Sequence, residues 1–173
     1  LTSIPQVYTS QLPKPDTPHL QVHLGTGPYS ARLVTLKPFK AGQVLAATPN
    51  LAPAPTKRYT TVQVGKDAHA ELNSDLVYMN HSCDPSAVLD VRHRVVVARR
   101  DMAHGEGVTF FYPSTEWEMA QPFECWCGSP NCLKVVRGAK YMDKATLDKF
   151  AVSEHILELA AERDSSDATA SAD

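Results

Sequence analysis

Apolar and polar positions alternate with the two-residue period of strands at several places along the chain. Leu20, Val22 and Leu24 alternate, a turn runs from Gly25 to Tyr29, and Ala31, Leu33 and Thr35 resume the pattern. Gln43-Val44-Leu45 follows a Lys40-Ala41-Gly42 turn. After a proline-rich stretch from Pro49 to Pro55, the β-branched run Tyr59 to Val64 and the region Val88 to Ala98, with Val95-Val96-Val97, predict further strands.

A different spacing takes over near the C-terminus. Asp143 is placed to cap a helix carrying Leu147, Phe150 and Ala151, and Ser153 a second run carrying Ile156, Leu157, Leu159 and Ala160. Pro5, Pro13, Pro15 and Pro18 each remove a backbone donor, so residues 1–19 are expected to form an extended arm. Asp164 to Asp173 offers nothing large and apolar to offset the entropy of ordering, which predicts a disordered tail. The expected class is mainly β, in one domain, with a C-terminal helical segment over residues 141–163.

Composition narrows the function. A net charge of -2 with dispersed Lys and Arg leaves no electrostatic footprint for gripping a phosphate backbone, so direct nucleic-acid binding is not expected. No apolar run approaches the roughly 18 residues that span a bilayer, and the opening residues lack the parts of a signal peptide. A soluble, intracellular protein in nucleus or cytoplasm is expected, most simply a monomer.

Three segments carry candidate chemistry. Tyr78-Met79-Asn80-His81-Ser82-Cys83-Asp84-Pro85-Ser86 crowds donors and acceptors beside one thiol. Gly105 to Tyr112 is a glycine turn feeding an apolar strand that ends in a tyrosine. Cys125-Trp126-Cys127-Gly128-Ser129-Pro130-Asn131-Cys132 has metal-like spacing but supplies three of the four ligands a structural zinc takes, and Cys83 is the other cysteine in the chain. Taken singly, Asn-His is a weak signal and a strand-end tyrosine reads as core. Glu116, Trp117 and Glu118 read as a loop without an assigned role.

Together, and in this order, the segments resemble the SET-domain lysine methyltransferases. Asn80 to Pro85 matches the family's N-H-S-C-x-P segment, Gly105 to Tyr112 its G-E-E-L-T-[FY]-D-Y strand, and Cys125 to Cys132 its post-SET C-x-C-G-x3-C, while Gly25 to Ala31 looks like its glycine-rich start. The resemblance covers roughly residues 20–140. It implies a SET fold of small β-sheets with knot-like threading over residues 20–116, a post-SET zinc segment over 117–140, the helical segment 141–163 and the tail 164–173.

The resemblance also implies roles. Asn80 and His81 would contact S-adenosylmethionine (SAM), Gly25, Gly27 and Tyr29 would line its other side, and Tyr112 would be both catalytic and cofactor-facing. Phe110 would shape the amine channel and, as Phe rather than Tyr, leave room for di- or trimethylation; Trp126 would cover the adenine or wall the channel. Cys83, Cys125, Cys127 and Cys132 would hold a structural zinc ion. The implied substrate is the ε-amine of a lysine in a protein, a histone tail included. A short stretch ahead of Asn80 opens a second reading, a free lysine or other small-molecule amine. Phe111 in place of the family's Asp and Ser86 in place of its Asn open a third, an interaction module without catalysis.

Overall fold

A computed structural model describes residues 17–27 and 30–170, with side chains through residue 167. Strands β1 (Leu20–His23) and β2 (Arg32–Thr35) pair antiparallel around the glycine-bearing loop. A Cβ on Gly25 would lie 2.5 Å from the Cβ of Ser30, so only glycine lets the two sides of this loop approach so closely. Residues 1–16 of the expected arm lie outside the described residues.

Two three-stranded sheets build most of the body. In one, β3 (Val44–Ala47) pairs with β9 (Val95–Ala98), which pairs with β8 (Ala87–Asp90). In the other, β6 (Ala68–Glu71) runs between β4 (Ala52–Ala54) and β5 (Thr61–Gly65). β4 lies inside the proline-rich stretch from Pro49 to Pro55, where no strand is expected. Pro53 is tolerated there because β4 is an edge strand, where a missing donor leaves no ladder bond broken on the outer side. Leu20, Leu33, Leu76, Val96 and Val108 are fully buried where these layers meet.

The pairing that organises the site is short and non-local. β7 (Asn80–His81) lies parallel to β10 (Thr109–Phe110), with Asn80 opposite Thr109 and His81 opposite Phe110. The glycine segment before β10 first borders β2, through the Val34–Gly107 bridge and the Val108 amide donating to the Leu33 carbonyl at 2.8 Å. Of the strand expected over Gly105 to Tyr112, two residues thus pair in the sheet and Tyr112 opens a single 3-10 turn, Tyr112–Ser114.

The C-terminal part packs as its own layer. β11 (Phe123–Glu124) pairs with β12 (Val135–Val136), and α1 (Lys144–Leu147) is capped by the Asp143 carboxylate, which accepts from the Thr146 amide. Gly138 has φ +118° and no room for a side chain, since a Cβ there would lie 2.5 Å from the Trp117 carbonyl. Helix α2 spans Glu154–Ala170, so the segment from Asp164 onward is helical to Ala170 rather than a disordered tail, and 171–173 lie outside the described residues. Ala, Glu and Arg favour helix, the Ser165 and Ser166 hydroxyls bond back to the Ala161 and Glu162 carbonyls, and Arg163 anchors the helix to the carbonyls of Lys140 and Met142 at 2.9 and 2.8 Å.

Candidate active site and thiol cluster

The parallel β7–β10 pair sets His81 and Tyr112 side by side. Their rings meet edge to face at 5.3 Å, and Phe123 packs edge-on to both, at 5.7 and 5.9 Å. Phe110 is buried with its ring 4.7 Å from that of Tyr112. The Tyr112 hydroxyl donates to the Met79 carbonyl at 2.8 Å, so a phenol oxygen and a backbone oxygen meet at one point of a mostly apolar surround. Burial pushes the hydroxyl up to about 12, which keeps it protonated at neutral pH.

His81 is neutral in the same environment, because burial lowers it to about 4. Its Nδ1 accepts from the Tyr112 amide at 3.2 Å and its Nε2 faces the Cys83 sulfur at 3.2 Å. Asn80 is exposed and its side-chain amide donates to the Ala31 carbonyl at 3.0 Å, tying β7 to the glycine loop. Its Oδ1 carries no hydrogen bond among the described residues, and the space above Gly27 is open. Gly25, Gly27, Asn80, His81 and Tyr112 therefore lie along one connected seam; Tyr29 lies outside the described residues.

A cavity of about 350 Å³ is lined by Pro113, Leu133, Val135, Arg137, Gly138, Tyr141 and Met142; of these only Pro113, next to Tyr112 in the chain, adjoins the seam. That is the scale of a small-molecule site. A wider cleft of about 740 Å³ lies between the β8–β9 turn and the start of α2. None of its lining residues belongs to the three segments, and the Arg92–Glu154 and Lys66–Glu158 ion pairs join its sides.

The four cysteine sulfurs all lie within 4.8 Å of one another. A tetrahedral zinc with bonds of about 2.3 Å puts its sulfurs roughly 3.8 Å apart, and Cys83 and Cys125 are already at 4.0 Å. Burial pushes Cys83 and Cys125 up, whereas at Cys127 hydrogen bonds from the Cys83 and Ser129 backbone outweigh burial and hold it down to about 6. As a soft, partly buried, four-sulfur set, the cluster fits one tetrahedral ion. Trp126, between two of these cysteines, is 86% exposed.

The two residues that open the non-catalytic reading have structural jobs. The Ser86 hydroxyl donates to the Gly107 carbonyl and accepts from the Thr109 amide, both at 2.9 Å, clamping the β7 and β10 segments together. Phe111 is buried against the C-terminal layer.

The loop left without an assigned role proves to be a latch. Glu116 is 7% exposed and its Oε1 accepts from the Gln63 amide at 2.8 Å, while the Gln63 side chain accepts from the Trp117 amide at 2.9 Å and donates to the Gly65 and Lys66 carbonyls. Burial raises the Glu116 carboxyl above the ordinary carboxylate range. Glu116 did not stand out in the sequence, because a loop has no period against which a buried polar side chain can be recognised, and Gln63 was hidden as one polar position in the β5 run.

The SET domain family model matches residues 30–113. Methyltransferase flvH of Aspergillus flavus is 44% identical over 144 residues, 82% of this chain and 81% of that protein. The H3 lysine-36 specific histone-lysine N-methyltransferase of Candida albicans is 37% identical over 76 residues, 40% of this chain, and the match spans 9% of that longer protein. The methyltransferase domain of human SETMAR superposes with a TM-score of 0.52 at 15% identity, over 69% of this chain and 58% of that one. KRYPTONITE, solved in complex with mCHG DNA and SAH, gives 0.53 at 16% identity, over 67% and 28%. These two show a shared fold. With the Asn-His and tyrosine segments paired as β7 and β10, and a relative matched along most of both chains, this chain belongs to the SET-domain methyltransferases.

Proposed function

We propose that this protein transfers methyl groups from SAM to the ε-amine of a lysine in a protein substrate, a histone tail being one candidate, with a structural zinc ion on Cys83, Cys125, Cys127 and Cys132. The observation that carries the reading is the meeting of the Tyr112 hydroxyl and the Met79 carbonyl at 2.8 Å, with Phe110 alongside.

SAM, when bound, supplies a methyl group on a positively charged sulfonium. What the chain must provide is alignment of a neutral amine and oxygen atoms facing the charge, more than a strong base. The Tyr112 hydroxyl and Met79 carbonyl are such oxygens, and the apolar rings of Phe110 and Phe123 disfavour the charged form of an incoming amine. Asn80, His81, Gly25, Gly27 and Tyr29 are the residues we assign to the cofactor, the Asn80 side chain and the open space above Gly27 being where its polar parts find room. Exposed Trp126 stands free to close over it, stacking being the contact its ring offers. The site is intracellular in this reading, in nucleus or cytoplasm, and the protein acts as a monomer.

A small-molecule amine is the second reading. Between Glu71, the end of β6, and Asn80, the start of β7, stands a single 3-10 turn, Asp75–Tyr78, leaving little to wall a peptide groove. The third reading, an interaction module without catalysis, rests on Ser86 and Phe111, and the structural task each has offers another reason for its presence.

Isotope-labelled SAM offered with histones, a cell extract and free lysine in parallel tests these readings, with Tyr112→Phe as control. Label on protein that vanishes in the variant supports the first. Label on the free amine alone moves the substrate to the second, and no label with any acceptor rejects both.

A further inference from the structure

We infer that His81 is a positioning residue that passes metal occupancy of the thiol cluster to the backbone of Tyr112. The inference rests on reading the four cysteines as a metal site. Its basis is that one imidazole bridges the two: Nδ1 lies 3.2 Å from the Tyr112 amide and Nε2 lies 3.2 Å from the Cys83 sulfur.

A neutral imidazole has one donor and one acceptor nitrogen. The Tyr112 amide can only donate, so Nδ1 is the acceptor and the proton sits on Nε2, directed at Cys83. The ring has little freedom to choose otherwise, because Phe111, Tyr112 and Phe123 pack around it at 5.5, 5.3 and 5.7 Å. Cys83 is the joint of the assembly: its sulfur also accepts from the Leu133 amide at 3.3 Å, one residue beyond Cys132. An ion bound to all four sulfurs holds Cys83 in one rotamer and gives Nε2 a fixed partner. Without the ion the Leu133 amide and the Cys125 thiol are what still hold the Cys83 sulfur, so its contact with Nε2 loosens and the imidazole pins the amide of Tyr112 less firmly. Groups behind a metal ligand ordinarily orient the ligand; here the same contact works outward, orienting the tyrosine.

The test is amide hydrogen exchange at Tyr112 in zinc-loaded and chelator-stripped protein, for wild type and His81→Asn, with metal content measured in each sample. Asn keeps an acceptor near the Nδ1 position and has no group that reaches Cys83. Stripping is expected to speed exchange at Tyr112 about tenfold in wild type, the size of one hydrogen bond, and to leave it within about twofold in His81→Asn, while core amides such as Val96 hold their protection in both. Equal acceleration in both proteins, or none in wild type, overturns the inference. Absence of bound metal in any preparation overturns the metal reading and the inference with it. Where His81→Asn does not fold, nitrogen NMR of the wild-type imidazole decides: a proton on Nε2 in the zinc-loaded protein is expected, and a proton on Nδ1 refutes the bridge.

Discussion

Phe111 and Phe150 lie face to face, their ring centroids 3.7 Å apart and their planes within 4° of parallel. The contact joins the residue just before Tyr112 to the C-terminal helical layer, where Met142, Leu147, Ile156 and Ala160 complete a second core. The C-terminal segment is therefore a support for the tyrosine rather than an appendage.

Phe150 is half-buried, so Phe150→Ala is expected to cost about 2 kcal/mol, combining lost burial with the loss of an aromatic pair. Phe111→Asp, which restores the family's usual residue, is expected to cost about 3 kcal/mol or more, because a carboxylate would be buried without a partner. Urea unfolding reads both. A Phe111→Asp protein as stable as wild type would mean the stack is not what holds this layer.

The Gln63–Glu116 latch makes a prediction whose sign depends on pH. Burial raises the folded-state pKa of Glu116, so its stabilising contribution is fully present below the unfolded value of 4.5 and is lost as pH rises through the folded value. Glu116→Gln keeps the acceptor for the Gln63 amide and removes the charge. Its stability relative to wild type should therefore improve between pH 4 and pH 7, read by thermal unfolding at a series of pH values. Glu116→Ala should lose about 2 kcal/mol by orphaning that amide. A Glu116→Gln difference that shrinks with rising pH would contradict the assignment.

Methyl transfer should accelerate as pH rises from 7 toward 10. A lysine amine with an ordinary pKa of about 10.4 must shed its proton before attack. Tyr112 adds no falling limb in that range, since its hydroxyl is pushed up to about 12 and stays a donor throughout. Single-turnover rates would show this, and a flat profile would place the slow step elsewhere than chemistry on an amine.

Elemental analysis should find one zinc per chain, and Cys127→Ser should lose it. Chelation should lower the melting temperature and expose the Phe123–Val136 pairing to protease, because Cys83, Cys125 and Val136 form a small cluster whose other apolar neighbours, Met119, Phe123 and Leu133, are only partly buried. Unchanged proteolysis after complete metal removal would show that the segment stands without the ion.

Much of the site was legible in the residues themselves. Asn80-His81, the tyrosine after its glycine turn, and the cysteine spacing are short and local, and the hairpin strands declared themselves by alternation. The Asp143 cap was equally local, because a capping carboxylate and the amide it serves lie within one turn. Tertiary structure alone decided the rest. A two-residue strand has no period to detect, so the pairing of Asn80 with Thr109 could not be read from either segment. The burial of Glu116, the stack of Phe111 on Phe150 and the two-sided role of His81 each depend on partners brought from far along the chain. The helical course beyond Asp164 escaped a composition argument because helix propensity and the Arg163 anchor supply order that apolar burial does not. Sequence determined which groups are candidates to carry the chemistry, since reactivity resides in side chains; the fold decided which of them meet, since that is a matter of distance.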